Sequence, residues 1–275
     1  MPQSSSPGPA RMLVRAAALV ASVITCLAAP VQAQTDYYNT SVGRPLRIED
    51  ASPLEYRGVE LNLAPIRWES ARNATNRWSL HPEAAVGVFP RTQIQVAAPF
   101  AHVDQTASST TGLAGLEISA LHALNAETSI PALALGADLA LPVGPLAADA
   151  AYGTFKAIMT RTLSAARIHA NAQVTVGPTM HDVDEHAGAS DVSRWLAGIA
   201  VDKTLPLRSL LLSVESFAEQ PIREGASLEW NVGAGVRMQL APRWAFDGGV
   251  GRRLTGDDQL WYVTLGSAYA LGIPW

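Results

Sequence analysis

Long runs of alternating side chains constrain the fold of this chain more than any other feature. From Arg167 to Val176, small or apolar residues alternate with polar ones, and from Leu260 to Trp275 the large apolar residues share one parity. A two-residue period is the pattern of a β-strand whose two faces differ. Twelve such stretches follow Arg57, each near the roughly ten residues that a tilted membrane-spanning strand requires. We therefore predict an all-β fold, a 12-stranded antiparallel transmembrane β-barrel of the bacterial outer membrane.

The N-terminus has the three parts of a secretory signal peptide. Arg11 and Arg15 precede an apolar run, and small residues follow up to Ala33. The run is shorter than the roughly 20 residues of a spanning helix, so we favour cleavage after Ala33 over a retained anchor. The predicted organisation is a signal peptide at 1–33, an N-terminal extension at 34–56 that lies in the periplasm or plugs the barrel, and a barrel at 57–275.

Charge and cysteine content narrow the function classes. The only cysteine, Cys26, lies in the signal peptide, which excludes a disulfide, a thiolate nucleophile and a cysteine-ligated metal from the mature chain. The mature chain carries 18 basic and 24 acidic residues, because residues 1–33 contain two arginines and no acidic residue. This balance provides no basic face for nucleic acid. No cofactor is predicted.

The connections between the predicted strands alternate in length. Those after the second, fourth, sixth, eighth and tenth strands are short, and those after the third, fifth and seventh are longer. Outer-membrane barrels have short periplasmic turns and longer external loops. Both ends of the barrel are therefore predicted to lie on the periplasmic side, as expected for a protein that is secreted to the periplasm and inserted into the outer membrane.

Tryptophan positions support the same arrangement. Under this topology five tryptophans lie at the external ends of strands and two at the periplasmic ends. Indole rings prefer the boundary between water and lipid. Core tryptophans of a secreted β-sandwich, the alternative fold, would have no reason to be sorted in this way. The external group is Trp68, Trp78, Trp195, Trp230 and Trp261, and the periplasmic pair is Trp244 and Trp275.

If the apolar parity faces lipid, the opposite parity points into a polar lumen of mixed charge. Its side chains would line a solute path, or they would pair with one another and close the interior of a structural or surface-interaction barrel. Barrels of this size lie between filled eight-stranded barrels and open porins, so both alternatives stay open. The candidate lining residues are Glu60, His81, Glu83, Glu117, Asp138, Lys156, His169, Gln173, Arg194, Glu215, Glu229, Arg237 and Asp247.

The sequence contains no familiar catalytic motif. It has no Gly-x-Ser-x-Gly elbow, no His-Glu-x-x-His motif and no glycine-rich phosphate loop. We therefore predict that the protein is not an enzyme. An outer-membrane enzyme stays a second alternative, and a phospholipase-like site would need serine and histidine together on the lipid face near the outer rim. The one histidine predicted to face outward, His122, has no serine neighbour of the same parity.

The loop after the seventh predicted strand is rich in imidazoles and carboxylates. These groups could hold a divalent cation, but their spacing matches no closed zinc or calcium pattern. A solvated acidic loop is favoured, and no metal site is predicted. A further hypothesis is that this loop bridges cations to lipopolysaccharide, together with Asp257 and Asp258. The loop residues are His181, Asp182, Asp184, Glu185 and His186.

Several stretches resemble one family of outer-membrane proteins. The run from Gly112 to Gly144, GLAGLEISALHALNAETSIPALALGADLALPVG, is similar to the central signature of the family named for the MetA-pathway of phenol degradation. FPRTQIQVAAPF and GVGRRLTGDDQLWYVTLGSAYAL are similar to its neighbouring strands. The resemblance implies an outer-membrane barrel that passes small hydrophobic or aromatic compounds, and it supplies no catalytic residue.

The predicted function is therefore a passive outer-membrane channel or transporter for small molecules. Its expected partners are outer-membrane lipid, lipopolysaccharide and a small-molecule solute. The resemblance adds the barrel-assembly machinery, which would recognise the terminal aromatic residue Trp275.

Overall fold

The computed structural model of the protein describes residues 45–63, 66–71, 76–104, 109–179, 192–206, 209–257 and 259–272. Within these ranges the regular structure consists of sixteen β-strand segments, numbered β1 to β16 along the chain. A search of the same ranges finds no helix that is both long enough and apolar enough to cross a membrane.

The first eight segments form four long strands, each interrupted once. Pro82 and Pro99 lie at two interruptions, where a residue without a backbone N–H cannot continue the ladder. Gly115 lies at another and has a φ of 131°. The irregularity predicted at Pro65 falls on a residue outside the described ranges. The pairs are β1 (Gly58–Asn62) with β2 (Ile66–Ala71), β3 (Asn76–Leu80) with β4 (Glu83–Phe89), β5 (Thr92–Ala97) with β6 (Phe100–Asp104), and β7 (Ser109–Leu113) with β8 (Leu116–Ala123).

The other eight strands are continuous. They are β9 (Ala132–Leu141), β10 (Tyr152–Thr162), β11 (Arg167–Val176), β12 (Ser193–Leu205), β13 (Leu210–Pro221), β14 (Glu229–Ala241), β15 (Trp244–Arg253) and β16 (Leu260–Gly272). The wall is antiparallel throughout, and β16 closes it by pairing with β1 at Gly58↔Gly272 and with β2 at Ile66↔Leu265. With each interrupted strand counted once, the predicted 12-stranded antiparallel barrel is confirmed.

The two ends of the barrel differ in their connections. At one end, here the turn end, the strands are joined by residues 90–91, 124–131, 163–166, 206–209 and 242–243. At the other end, here the loop end, the connections include 142–151 and the longest one, 177–192. Short turns are periplasmic in outer-membrane barrels, so the turn end, where β1 begins and β16 ends, corresponds to the periplasmic side.

The outer face of the wall is an apolar band. In β16, Trp261, Val263 and Leu265 are exposed, whereas Tyr262 and Thr264 between them are buried in the barrel. Exposed large apolar residues recur on every part of the wall, which is far more than a soluble surface carries. The six tryptophans in the described ranges are all exposed on this outer face; they are Trp68, Trp78, Trp195, Trp230, Trp244 and Trp261. Trp275 lies outside the described residues.

The loop 142–151 covers a strand edge at the loop end. β9 ends at Leu141, which pairs with Leu116 of β8, so no strand of the described chain continues alongside β7. Instead, the Leu146 N–H donates to the Leu113 carbonyl at 3.1 Å. The Leu146 side chain is buried against Ala101 on the inner face of the wall. This loop therefore narrows the lumen at the loop end.

Candidate solute pathway

Residues 45–56, here the plug segment, lie inside the barrel. The sequence left open whether this extension hangs in the periplasm or enters the barrel. The backbone N–H groups of Arg47 and Ile48 both donate to one carboxylate oxygen of Glu215, at 2.8 and 2.9 Å. The Ala51 N–H donates to the Thr160 hydroxyl at 2.9 Å. Further along, the Leu54 N–H donates to Gln93 Oε1 at 2.8 Å, and Glu55 and Tyr56 reach the surface at the turn end.

Side chains of the wall, rather than strand backbone, hold the body of the plug segment. Thr264 Oγ1 donates to the Pro45 carbonyl at 3.1 Å. With its amide oriented so that both atoms are satisfied, Asn171 donates to the Glu49 carbonyl at 2.9 Å and accepts from the Glu49 N–H at 2.8 Å. The hydrogen bonds that hold the segment are therefore separate from the barrel's own hydrogen-bond ladder.

Two apolar side chains of the plug segment are packed against different parts of the wall. Ile48 is buried in a cluster with Leu196, Ala200 and Phe217. Ala51 is buried in a second cluster, together with Leu121, Ala123, Ala134 and Ile158. These contacts remove apolar surface from water, so they add to the hydrogen bonds that hold the segment.

Glycines of the inner wall make room for the start of the plug segment. A Cβ atom on Gly235 would lie 2.7 Å from Pro45 Cβ, and one on Gly249 would lie 2.6 Å from the Pro45 carbonyl oxygen. Both distances are shorter than side-chain contacts in real proteins, so any larger residue would displace the segment or the wall. The inner surface of β14 and β15 is thus shaped to receive Pro45.

Two groups of polar contacts join the plug segment to β9, β10, β11 and β12. Glu49 Oε1 lies 2.8 Å from Lys156 Nζ, which is also 3.1 Å from Asp138 Oδ2. Asp50 lies 3.9 Å from Arg167. The remaining links are Arg167 to Asp202 at 2.6 Å, His169 Nε2 to Asp202 at 2.9 Å, and Thr160 to His169 Nδ1 at 2.9 Å. Since Thr160 also binds Ala51, the group that begins at Asp50 ends on the plug segment as well.

A cavity of about 150 Å³, here the chamber, lies between the plug segment and the loop end. Arg47 and Glu49 of the plug segment border it, and Tyr152 lines it near the loop end. Tyr152 packs with Ala148 and Ile222 from two loop-end connections. An apolar cavity of about this volume can hold benzene, so the chamber has the size for a small molecule. Its walls are polar: they include Arg77, His81, Glu83, Gln95, Glu117, Ser119, Asp138, Thr154, Lys156, Gln173 and Thr175.

The residues predicted to line the lumen fall into three groups. His81, Glu83, Glu117, Asp138, Lys156 and Gln173 line the chamber. Glu60, His169, Glu215, Glu229, Arg237 and Asp247 are buried inside the barrel at other levels. Arg194 does not belong to the inward set: it is exposed and donates to Thr179 Oγ1 at 2.8 Å. The strand register shifts between Ser193 and Trp195, and this bulge ends the alternation that the prediction assumed.

Several inward residues were not among the predicted ones. Glu49 and Asp50 belong to the extension, whose sequence has no period that could assign a face. Asp202 shares the inward parity of Ala200 on β12, and that signal could have identified it. Tyr262 shares the smaller, more polar parity of β16 with Thr264; its ring lies under the Arg67 guanidinium, at 4.1 Å.

Acidic residues outnumber basic ones inside the described part of the barrel. The acidic residues are Glu49, Asp50, Glu60, Glu69, Glu83, Glu117, Asp138, Asp202, Glu215, Glu219, Glu229 and Asp247. The basic residues are Arg47, Arg67, Arg77, Lys156, Arg167, Arg237 and Arg253. Twelve acidic against seven basic side chains give the interior a formal charge of −5 with histidine neutral.

The outer face carries two histidine–hydroxyl pairs. His122 Nδ1 lies 2.9 Å from Thr92 Oγ1 near the turn end. His102 Nδ1 lies 2.6 Å from Thr111 Oγ1 near the loop end, and its ring stacks on Trp78. The sequence predicted His122 as the one outward histidine. This prediction is wrong, because His102 also lies on the outer face. At the loop-end rim an imidazole and a hydroxyl do meet, but the hydroxyl belongs to threonine rather than serine.

The described ranges contain no group of three or more His, Cys, Asp or Glu residues placed to hold a metal ion. The loop His181 to His186 and Asp258 lie outside the described residues. Asp257 lies 2.7 Å from Arg223 at the loop end. A hydrogen bond from Ser227, with Arg223 adding to it, lowers the pKa of the Asp257 carboxyl.

A closed antiparallel wall, an apolar band with outward tryptophans and a polar interior define an outer-membrane β-barrel protein. Within that class, the family model described as "Putative MetA-pathway of phenol degradation" matches residues 59–271, and the chain belongs to this family. The predicted family resemblance is thus confirmed. No curated protein sequence matches the chain significantly.

Solved structures of outer-membrane barrels are similar to this fold. The COG4313 outer membrane channel from Pseudomonas putida F1 has a TM-score of 0.54 and 12% identity, with 81% of this chain and 98% of that chain covered. The KdgM porin in complex with disordered oligogalacturonate has a TM-score of 0.46 and 10% identity, with 77% and 98% covered. Outer membrane phospholipase A from Escherichia coli has a TM-score of 0.43 and 8% identity, with 85% and 96% covered. The similarity to the COG4313 channel supports the assignment of the fold.

Proposed function

We propose that the protein is an outer-membrane channel for the passive passage of small molecules, and that the plug segment controls its opening. The observation that carries this proposal is the position of the plug segment. It lies between the chamber and the turn end and is attached to the wall through side chains. A barrel closed for structural reasons would be filled by wall side chains, whereas this lumen also holds a separate piece of chain that lies outside the sheet.

Family membership supports the same function. The family description refers to phenol degradation, and the structure with the same fold is described as an outer membrane channel. Passage of hydrophobic or aromatic compounds remains a prediction from the family resemblance. Cleavage of the signal peptide after Ala33 is part of the proposal, and mass spectrometry of the mature N-terminus would test it.

A disulfide between the plug segment and the wall tests whether the plug must move. The mature chain has no cysteine, so Ala51→Cys with Thr160→Cys would introduce one pair, at positions where backbone and side chain are 2.9 Å apart. We expect low conductance in planar bilayers when the pair is oxidised and recovery after reduction. A matched control pair, Thr92→Cys with His122→Cys, crosslinks two wall strands on the outer face, where the two side chains lie 2.9 Å apart, and should not change conductance on oxidation.

Absence of conductance would overturn the channel proposal. If correctly folded protein, shown by heat-modifiable mobility on a detergent gel, passes no current with the plug tethered, untethered or weakened by substitution, the lumen is closed. The protein would then be a structural or surface-interaction barrel.

A further inference from the structure

The fixed charge inside the lumen indicates which ions a channel of this kind would favour. The described interior has twelve acidic and seven basic side chains. Rings or walls of carboxylates favour cations in pores, because the wall replaces part of the ion's hydration and repels anions. Selectivity also depends on which of these acidic groups are accessible to a passing solute.

Three basic side chains border the chamber, and each has acidic neighbours. Arg47 of the plug segment is half-buried and interacts electrostatically with Glu49 and Glu215. Lys156 is only 7% exposed and lies between Glu49 and Asp138. Arg77 is 16% exposed and lies 3.7 Å from Glu69. Their charges are thus neutralised within the wall, and they offer little surface to an anion in the chamber.

The acidic side chains of the chamber are more accessible. Glu117 is 37% exposed and lies 3.3 Å from His81 Nε2, and Asp138 is 26% exposed. Asp138 uses its Oδ2 atom for Lys156, and its Oδ1 atom is buried without a hydrogen-bond partner within the described residues, so it is an unsatisfied acceptor. The chamber therefore presents carboxylate oxygens, rather than ammonium or guanidinium groups, to a solute.

The strand register places these two carboxylates on the same inner surface. Ser119 on β8 pairs with Asp138 on β9, and Glu117 is two residues before Ser119. Glu117 and Asp138 are therefore diagonal neighbours, about 7 Å apart at the backbone, and Ser119 is adjacent to both. An alkylammonium has three N–H donors, and this arrangement offers acceptors from three side chains.

We infer that the channel is selective for cations and that Glu117 and Asp138 recognise the cationic group of small ammonium-bearing solutes in the chamber. This inference rests on the proposed channel function and extends it to a substrate class. The inference concerns the charge of the solute and not its aromatic ring. Benzylammonium should pass more readily than benzoate, although both carry the same aromatic ring.

Reversal potentials in a KCl gradient across planar bilayers test the inference. We expect the wild-type barrel to favour K⁺ over Cl⁻, and the double variant Glu117→Gln, Asp138→Asn to lower this permeability ratio at least two-fold. A control double variant, Asp104→Asn with Glu127→Gln, removes the same charge from residues that lie outside the lumen and should leave the ratio unchanged. Replacing K⁺ by benzylammonium should show the same order among the three proteins.

Each outcome separates this inference from the channel proposal. Conductance that favours Cl⁻, or a ratio that is unchanged in the Glu117 and Asp138 variant, would overturn cation selection while the channel stands. Absence of conductance in every folded variant would overturn both. If the double variant fails to assemble, the single variant Glu117→Gln keeps the test open, because Glu117 takes no part in the ion pairs of Lys156 and should still lower the ratio.

Discussion

Glu49 Oε1 of the plug segment lies 2.8 Å from Lys156 Nζ of the wall, and both side chains are buried. The pair joins a stretch of chain with no regular structure to a strand in the middle of the barrel. A buried ion pair adds little net stability, but removal of one partner leaves an uncompensated charge. The docked position of the plug segment is therefore sensitive to single substitutions in the lumen.

Replacement of Lys156 by alanine should release the plug segment. The change leaves the buried Glu49 and the half-buried Asp138 without their shared cation; the loss of one partner costs roughly 3–5 kcal/mol for a fully buried pair. We expect a higher open fraction in single-channel recordings. Arg161→Ala is the control, because its partner Glu127 lies 3.5 Å away in a more exposed pair. An open fraction that stays at the wild-type value would show that this ion pair does not hold the plug.

A side chain on Gly249 should displace Pro45. In Gly249→Ala the new Cβ would lie 2.6 Å from the Pro45 carbonyl oxygen, and overpacking of this kind costs roughly 1–3 kcal/mol. The readout is thiol labelling at Ala51→Cys, which should become faster when the plug segment leaves its site. Gly153→Ala is the matched control, since a Cβ there meets no atom within 4 Å. Equal labelling rates in the two variants would contradict the tight fit.

Truncation of Ile48 should weaken docking without unfolding the barrel. Ile48→Ala empties a buried site beside Leu196 and Phe217, and such truncations cost roughly 2–5 kcal/mol. Because the plug segment is not part of the sheet, we expect faster labelling at Ala51→Cys and little change in the heat-modifiable gel shift. The control is Ile199→Ala on the outer face of β12, the strand that carries Leu196. It should change neither the labelling rate nor the gel shift. A large loss of barrel stability in Ile48→Ala would mean that plug and wall fold as one unit.

Order at the loop end should depend on acid pH through Asp257. Its pKa is lowered from the ordinary 3.8 by the hydrogen bond from Ser227 and by Arg223. A carboxyl with a lowered pKa contributes stability that is present above its ordinary pKa and is lost as pH falls through the lowered value. Hydrogen exchange of residues 223–227 should therefore rise only below pH 3.8. Asp257→Asn should remove this pH step, and a step that persists would assign it to another group.

The alternation of side chains made the barrel wall predictable, and it failed where the backbone departs from regular pairing. The outward tryptophans and most inward polar residues follow directly from a period of two. Arg194 does not, because a bulge between Ser193 and Trp195 turns it outward. His102 was missed as an outward histidine because its segment is short and follows the break at Pro99.

The sequence by itself determined the 12-stranded wall, the membrane band and the family, because each depends on a local repeat or a short motif that is independent of distant residues. Only the tertiary structure decided that residues 45–56 occupy the lumen and that Glu49 meets Lys156. The plug segment has no periodic pattern, and the partners of Glu49 and Ala51 lie more than 100 residues away. Contacts across a lumen depend on barrel closure, which brings together residues that no local pattern relates.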